Sequence, residues 1–269
     1  RRDIQEDGHG AVSAVRQGRE RMELRKLYGV YEKAAELRQK LAHPYCAAVI
    51  VAAGSAARME GTDKIFTILD RLPVICRTMD AFQRCALIDE IVLVARADTM
   101  ERMSRLCPAY PKARIVVPGG ASRLESVMAG VRAVSEGTEL IAVHDGARPL
   151  VPVEVITRTA AKAAKFGAAA PAIAVKDTIK ISSDGTVQST PDRKTLFAVQ
   201  TPQIFDADLL RGALQNALEK QLPVTDDCSA VEAIGMTVQL TEGSEENIKL
   251  TTPLDLALAE AILRRRERA

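Results

Sequence analysis

The residues best suited to chemistry lie in a short stretch that follows an apolar run. Residues 47–53 are uniformly apolar, and Gly54 and three further small residues come next. Two cations, Arg58 and Lys64, follow this loop. Small residues let backbone N–H groups approach a ligand closely, and such groups beside fixed cations bind phosphate. The stretch predicts a buried strand that ends in a phosphate-binding loop. An ordinary strand-to-turn junction is the alternative if the glycine is taken alone.

Three more loops place polar groups after predicted strands or before a predicted helix. Residues 118–123 (PGGASR) form a glycine-rich turn that leads into a helix, and residues 145–149 (DGARP) contain a carboxylate and an arginine. Residues 247–249 (NIK) precede the last predicted helix. Ligands of open α/β sheets bind beyond the carboxyl ends of the strands. These loops therefore fit an anionic ligand with several phosphates and a divalent metal ion.

Other familiar sites are missing from the sequence. There is no G-x-x-x-x-G-K-[ST] motif and no G-x-G-x-x-G motif, which argues against a P-loop and a dinucleotide-binding fingerprint. The histidines are His9, His43 and His144, and their spacing does not suggest a Ser-His-Asp or Cys-His site. His144 ends a buried strand beside Asp145, and we interpret it as a structural residue.

Apolar strands alternate with amphipathic helices from residue 47 onward, which predicts an α/β fold. Near-continuous apolar strands are typical of a mostly parallel sheet with helices on both faces. Ser122 with Glu125, and Thr252 before Pro253, are helix-start signals. Strands are predicted at 47–52, 90–95, 114–117, 140–144, 168–174 and 237–240. Helices are predicted near 74–84, 99–106, 123–135, 152–165, 207–218 and 228–234, and from 253 onward.

Two regions depart from this alternation. Residues 1–45 predict an N-terminal extension, with a flexible part at 1–21, a helix at 22–42, and Met22 as a plausible natural start. The main domain is predicted at 46–269. Residues 176–200 contain short β-type runs at 178–181 and 186–188 around Asp184-Gly185, a hairpin turn signal. Such a polar hairpin is typical of a surface flap or of a β-arm that pairs with another subunit.

Composition excludes several classes of protein. The chain has 269 residues, of which 47% are hydrophobic and 27% are charged, as in a globular protein. It has no tryptophan and only 3% aromatic residues, which argues against a stacking platform for nucleic acid. No apolar run is long enough for a membrane span. The five cysteines show no C-x-x-C pairing, which is typical of reduced thiols in a cytoplasmic protein.

An ordered set of motifs across residues 46–265 resembles the 2-C-methyl-D-erythritol 4-phosphate cytidylyltransferases. The motifs are AAGSAARM with a later lysine at 52–64, PGGASRLESV at 118–127, HDGARP at 144–149, KDTIK at 176–180, DRK at 192–194, TPQIF at 201–205, TDD at 225–227 and NIKLTTPLDLALAE at 247–260. Each motif is weakly specific, but their order is strongly specific. The resemblance implies a Rossmann-like nucleotidyltransferase domain. It also implies CMP transfer from CTP to a sugar-alcohol phosphate with Mg²⁺, and a homodimer formed through the β-arm.

The resemblance also implies roles for individual residues. Arg58 and Lys64 would stabilise charge on the transferred phosphoryl group, and Arg193 and Lys249 would hold the attacking phosphate. Asp145 would lie near the metal ion and the ribose. The remaining implied contacts are Ala52, Ala53 and Gly54 with the triphosphate; Gly120, Arg123 and Ser126 with the cytidine; and Arg148, Thr178 and Thr225 with the substrate.

Two alternatives stay open at the level of sequence. A relative that uses ribitol 5-phosphate would share the CTP loops and differ in the acceptor pocket. A non-catalytic nucleotide-binding scaffold is a second alternative, although the joint presence of the five charged residues named for catalysis and the metal ion argues against it. The family's first loop commonly contains a second glycine, whereas Ala56 and Ala57 stand there in this chain.

Overall fold

The computed structural model describes residues 43–54 and 63–268. The predicted N-terminal segments at 1–21 and 22–42 lie outside the described residues, and so do Arg58, Ala56 and Ala57. Residues Pro44–Ala269 group into one compact unit.

The core of the described region is an eight-stranded, mostly parallel sheet, as predicted. The strands of this sheet are β1 Cys46–Ala52, β4 Glu90–Ala95, β5 Ala113–Pro118, β6 Leu140–Asp145, β7 Ala168–Ala174, β10 Phe197–Val199, β11 Gln203–Asp206 and β12 Gln239–Glu242. Their order in the sheet is β10-β7-β11-β6-β1-β4-β5, and β12 also pairs with β7. Pairs among β6, β1, β4 and β5 are parallel, whereas β10 and β11 run antiparallel to their neighbours. Two separate hairpins are formed by β2 Ile68–Leu69 with β3 Leu72–Pro73, and by β8 Ile181–Ser183 with β9 Thr186–Ser189.

Helices cover both faces of the sheet. The described helices are α1 Val74–Arg84, α2 Met100–Ser104, α3 Arg123–Ala133, α4 Val153–Phe166, α5 Ala207–Glu219, α6 Asp227–Glu232 and α7 Pro253–Arg266. Alternate residues of β1 enter different hydrophobic clusters, because successive side chains of a strand point to opposite faces. Ile50 packs in a cluster with residues of α1 and α4, whereas Val49 packs with residues of α3, α5 and α6.

Local signals located most of these elements. The strands at Glu90–Ala95 and Ala168–Ala174 and the helix Val74–Arg84 have the predicted bounds. The two predicted helix-start signals are present as capping boxes, at Ser122 and at Thr252. Among the described residues, no helix is long and apolar enough to cross a bilayer.

Some predicted bounds are wrong, and one central strand was missed. The run predicted at 237–240 forms a strand only at Gln239–Glu242, and the helix predicted at 99–106 is reduced to Met100–Ser104 after a 3₁₀ turn. The missed strand is Gln203–Asp206, which lies between β6 and β7. It is only four residues long and directly precedes a helix, so its sequence shows no run of alternation to detect.

The predicted β-arm is a surface hairpin. Its strands β8 and β9 meet at Asp184-Gly185, and both turn residues have positive φ angles, 53° and 78°. The first arm strand begins at Ile181 and not at residue 178. Every residue of β8 and β9 is exposed, which confirms that the hairpin has little core of its own.

Candidate functional site

A cavity of about 530 Å³ lies at the carboxyl ends of β1, β4, β5 and β6. The parallel register brings these ends level, because Ala52 pairs with Ala95 and Val51 pairs with Asp145. The cavity is lined by Val51, Ala52, Ala53, Gly54, Lys64, Ile65, Arg96, Gly120, Ala121, Ser122, Arg123, Ser126, Asp145, Ala147, Lys249 and Thr251. Nine of the predicted site residues are in this set, although they come from five separate parts of the sequence.

The first wall of the cavity is the start of the predicted phosphate loop. Ala52 ends β1, and Ala53, Gly54 and Lys64 line the cavity after it. A Cβ atom added at Gly54 would meet no atom of residues 43–54 or 63–268 within 4 Å, so none of these residues crowds the backbone here. Arg58 lies outside the described residues, and its predicted role stays a prediction.

The second wall is the glycine turn after β5. A Cβ atom at Gly119 would lie 2.3 Å from Ala53 Cβ, and one at Gly120 would lie 2.3 Å from Glu125 Cβ. Glycine is therefore required for this turn to pack against the first loop. The Glu125 carboxylate accepts hydrogen bonds from the N–H groups of Ala121 and Ser122, at 2.6 and 3.1 Å. This capping box fixes the direction of the turn and the start of α3.

Ser126 is a scaffold for that turn. Its hydroxyl group accepts a hydrogen bond from the Gly120 N–H at 3.1 Å and donates one to the Ser122 carbonyl at 2.8 Å. Ser126 borders the cavity but is buried, with 4% exposure. The contact that the structure shows for this side chain is therefore with the loop itself.

Arg123 forms a bidentate ion pair that sequence reasoning missed. Its two terminal nitrogens donate to the two carboxylate oxygens of Asp227, at 3.0 and 2.7 Å. Burial opposes the charge of Arg123, but Asp227 outweighs it and raises the pKa of the guanidinium. This pair joins α3 to the start of α6. Residues 225–227 were noted as a motif, but their spacing from Arg123 carried no sign of this contact.

Asp145 is the only carboxylate among the described residues that line the cavity, and three cations surround it. Its Oδ2 atom lies 2.9 Å from Lys249 Nζ and 3.4 Å from Arg148 Nε. Burial by itself would raise the pKa of this carboxyl, but Lys249, Arg123 and Arg148 lower it to about 2. Asp145 is therefore ionised at any pH near neutrality.

Arg148 supports this cluster from beside the cavity. Its Nη1 atom donates to the Asn247 carbonyl at 2.7 Å. The N–H of Leu250 donates to the Ala147 carbonyl at 2.8 Å. Through these bonds, the loop that contains Lys249 is held against the loop that contains Asp145.

Arg96 is a further cation in the cavity wall that sequence reasoning did not name. It follows β4 directly and forms ion pairs with Asp63 at 2.9 Å and Asp98 at 3.0 Å. The signal was present, because the first residue after a parallel strand lies at the ligand-binding edge.

The remaining predicted contacts do not line the cavity in this chain. Arg193 lies exposed on the arm, where its Nη1 donates to the Lys176 carbonyl at 2.6 Å. Thr178 and Thr225 are also exposed. Their predicted roles therefore need a ligand or a second subunit that brings them to a site.

Chemically, the cavity combines backbone from small residues, several cations and one ionised carboxylate. This set suits a ligand with more than one phosphate group, because cations and backbone N–H groups bind phosphate oxygens. Among the described residues, no group of three or more His, Cys, Asp or Glu side chains could hold a metal ion alone.

Known structures share this architecture. The chain is 32% identical to 4-diphosphocytidyl-2C-methyl-D-erythritol synthase from Anaerococcus prevotii, with a TM-score of 0.75 and coverage of 82% of this chain and 97% of that one. It is 31% identical to 2-C-methyl-D-erythritol 4-phosphate cytidylyltransferase from Thermus thermophilus, with a TM-score of 0.67 and coverage of 80% and 98%. The fold is therefore that of a Rossmann-like nucleotidyltransferase.

Sequence comparison gives the family within that class. The family model for 2-C-methyl-D-erythritol 4-phosphate cytidylyltransferase (IspD) matches residues 46–265. Proteins named as this enzyme from Desulforamulus reducens and Symbiobacterium thermophilum are 44% and 45% identical, and the matches cover 81% and 80% of this chain and 96% and 91% of the relatives. The chain belongs to the 2-C-methyl-D-erythritol 4-phosphate cytidylyltransferase family.

Proposed function

We propose that this chain transfers CMP from CTP to 2-C-methyl-D-erythritol 4-phosphate in non-mevalonate isoprenoid precursor synthesis. A phosphate oxygen of the acceptor attacks the α-phosphorus of CTP, and the bond from that phosphorus to the bridging oxygen of pyrophosphate breaks. The products are 4-diphosphocytidyl-2-C-methyl-D-erythritol and pyrophosphate. The observation that carries the proposal is the cavity, which joins Ala52–Gly54, Lys64, Asp145 and Lys249 in a chain of this family.

Catalysis of this step requires positioning and charge stabilisation, and it needs no covalent nucleophile. Negative charge accumulates on the α-phosphoryl oxygens as the acceptor attacks. Lys64, at the cavity wall beside the small-residue loop, is suited to stabilise that charge, and Arg58 is proposed to act with it. The glycine turn at Gly120 also lines the cavity, and we place the nucleoside of CTP beside it.

The cations around Asp145 are proposed to receive the acceptor phosphate. The Lys249 side chain is 40% exposed, and its Nζ atom lies 2.9 Å from Asp145 Oδ2. It is therefore both anchored and accessible to an incoming anion. Arg148 also contacts Oδ2 of Asp145, and Arg193 is proposed to complete the phosphate site from the arm.

Magnesium is proposed as a cofactor that arrives with the triphosphate. Mg²⁺ is usually held by one or two carboxylates together with substrate phosphates and water. Asp145 fits this pattern, because it is ionised and is the one carboxylate among the cavity-lining residues in the described part of the chain. The bound ion would neutralise charge on the phosphates, while Asp145 supplies the protein oxygen.

A homodimer formed through the β-arm is the proposed assembly. The arm exposes apolar side chains, with 40% exposure at Ile179, 51% at Ile181 and 55% at Val187. Exposed apolar side chains on a two-stranded hairpin favour contact with another surface, because the hairpin alone buries too little. A second copy of this chain would cover the arm, and Arg193 of one subunit would then lie near the cavity of the other.

A cytoplasmic location is also proposed, since the five cysteines are unpaired.

A pyrophosphate-release assay tests the proposed reaction. Purified protein with Mg²⁺ is given each of the four nucleoside triphosphates and either 2-C-methyl-D-erythritol 4-phosphate or ribitol 5-phosphate. We expect turnover with CTP and the methylerythritol acceptor. A preference for ribitol 5-phosphate would replace the proposed acceptor. Absence of turnover with every pair, while CTP still binds in calorimetry, would favour a nucleotide-binding scaffold.

A further inference from the structure

The turn that carries Asp145 and Arg148 is held at almost every backbone polar group. The Gly146 N–H donates to the Val51 carbonyl at 2.9 Å, and the Gly146 carbonyl accepts from the Thr78 hydroxyl at 2.9 Å. Further bonds tie Ala147 to Leu250 and close the turn from Arg148 N–H to the Asp145 carbonyl at 3.0 Å. The Asp145 N–H and the Arg148 carbonyl lie at the two ends of this turn.

A single buried side chain, His144, connects these two ends. Its Nε2 atom lies 3.3 Å from the Arg148 carbonyl oxygen, and its Nδ1 atom lies 3.0 Å from the Thr201 hydroxyl. The same hydroxyl accepts a hydrogen bond from the Asp145 N–H at 3.1 Å. His144 has 0% exposure, and its ring packs against Phe82 with centroids 4.8 Å apart. The ring therefore has a fixed plane and a polar partner at each nitrogen.

The chemistry of these partners determines where the proton lies. A backbone carbonyl can only accept, so Nε2 of His144 must carry the proton that is donated to Arg148. In a neutral imidazole, Nδ1 is then an acceptor. The Thr201 hydroxyl has one proton and already accepts from Asp145 N–H, so it donates to Nδ1. All hydrogen bonds run in one direction, from Asp145 N–H through Thr201 and His144 to the Arg148 carbonyl.

We propose that His144 is a positioning residue for the reaction, which fixes the Asp145–Arg148 turn through a directed hydrogen-bond relay with Thr201. The relay acts on the backbone at both ends of the turn, so it sets the direction of the Asp145 and Arg148 side chains. His144 itself does not line the cavity. The inference deepens the proposed function and rests on it for its kinetic consequence, but the proton position can be measured without substrate.

The relay also connects the turn to two other parts of the site. Asn247, which is fully buried, donates from Nδ2 to the Thr201 carbonyl at 2.8 Å. The backbone carbonyl of Asn247 accepts a hydrogen bond from the Arg148 guanidinium. Thr201 lies two residues after the end of β10, and Lys249 lies two residues after Asn247. A shift of the turn would therefore displace Lys249 as well as Asp145.

Nitrogen NMR of the imidazole rings is the direct test. The chain contains three histidines, and the His144 signals are assigned by their loss in His144→Gln. We expect a protonated Nε2 and an unprotonated Nδ1 for His144 in the substrate-free protein. The opposite tautomer would overturn the relay, whether or not the protein turns over CTP.

Matched variants test the kinetic consequence. His144→Gln keeps a donor near the Nε2 position, whereas His144→Phe keeps only the packing against Phe82. We expect His144→Phe to lower kcat/KM for the acceptor by up to about 100-fold, because small displacements of positioning groups are costly. His144→Gln should retain most of the activity that His144→Phe loses. Rates are measured well below the unfolding temperature of each variant, so that loss of folded protein does not contribute.

A second pair of variants covers the case in which His144→Phe does not fold. Thr201→Ser keeps the hydroxyl group, and Thr201→Val replaces it with a methyl group of similar size. We expect Thr201→Val to lower kcat/KM as His144→Phe does. The loss from Thr201→Val should be non-additive with the loss from His144→Phe, and also with any loss from His144→Gln, when the changes are combined in one protein. Equal kcat/KM for Gln and Phe at position 144, or for Ser and Val at position 201, would overturn the positioning role. If the wild type has no turnover, the proposed function fails, and the relay is judged by the tautomer alone.

Discussion

At the scale of single residues, the site is built on charges that oppose one another. Asp145 is buried among Lys249, Arg148 and Arg123, which keep it ionised. The ion pair between Lys249 and Asp145 removes the cost of burying an isolated charge before substrate binds. In the proposed reaction, the incoming phosphate and the proposed Mg²⁺ exchange partners with groups that are already in place. Lys64 also lines this cavity, as does the start of the small-residue loop.

The first prediction concerns Lys64. Lys64→Ala should lower kcat by about 100- to 1000-fold, because one fixed donor to a developing oxyanion has that effect in other enzymes. The measurement is pyrophosphate release, with circular dichroism to verify folding. Lys220→Ala is the matched control, since Lys220 is exposed and does not line the cavity. Wild-type rates for Lys64→Ala would show that the site is misplaced.

At the scale of elements, close packing of α3 on the sheet fixes the glycine turn. Gly130 allows this approach, because a Cβ atom there would lie 2.3 Å from Val49 Cγ1 and 2.8 Å from Val94 Cγ2. Both neighbours are buried side chains of central strands. The helix therefore sits at a distance from β1 and β4 that only glycine permits.

A pair of glycine substitutions tests this packing. Gly130→Ala should lower the free energy of unfolding by about 1–3 kcal/mol, because it overpacks the core. Gly212→Ala is the matched control within a helix, since a Cβ atom at Gly212 meets nothing within 4 Å. It should raise the free energy of unfolding by up to about 1 kcal/mol, as alanine is the better helix former. Chemical denaturation measures both. Equal effects of the two changes would contradict the packing argument.

The start of α7 provides a prediction for pH. The Asp255 carboxylate accepts hydrogen bonds from the N–H groups of Thr251 and Thr252, at 2.8 and 2.7 Å. Burial alone would raise its pKa, but these bonds and those of the two hydroxyl groups outweigh burial and lower the pKa below the usual 3.8. A depressed carboxyl pKa stabilises the folded state above the unfolded-state pKa, and this contribution is lost as pH falls through the folded-state pKa.

Asp255→Asn measures that contribution. At neutral pH the change should lower the free energy of unfolding by about 1 kcal/mol, the typical size of a capping interaction. The difference from wild type should shrink as pH falls below about 4, because the wild-type carboxyl then becomes protonated. Denaturation curves between neutral pH and the acid limit give this difference. A difference that stays constant down to the lowest pH would refute the assignment.

At the scale of the whole molecule, the arm is the part that the proposed dimer would cover. It is exposed along both strands, and Arg193 does not line the cavity of its own chain. A dimer with exchanged arms would bring Arg193 of one subunit to the other. Each site would then contain residues from two chains.

Complementation between inactive variants tests this assembly. Lys64→Ala and Arg193→Ala homodimers should each be inactive, whereas a mixed dimer should recover about a quarter to a half of wild-type activity, because one of its two sites has both residues intact. Differently tagged subunits allow the mixed dimer to be purified. Lys194→Ala, an exposed neighbour of Arg193, is the control and should be active without mixing. Failure of verified mixed dimers to recover activity would show that each site is built within one chain.

The sequence alone determined the positions of most strands and helices and the nature of the ligand. Continuous apolar runs, capping residues and the glycine turn are local signals, so Glu90–Ala95, Val74–Arg84 and the cap at Ser122 could be predicted closely. The small-residue loop with Lys64 is also a local signal, and it indicated a ligand that contains phosphate. The ordered motifs then indicated the family.

Only the tertiary structure decided which charges meet. Lys249 with Asp145, Arg123 with Asp227, and His144 with Thr201 are pairs whose members are widely separated in the sequence. Their contact depends on strand order and on register, and a shift of one residue would move every side chain of a strand to the other face. It also depends on the short strand Gln203–Asp206, which inserts between β6 and β7 and places Thr201 beside His144. Local patterns contain no information on those distances, so the relay became visible only in the folded chain.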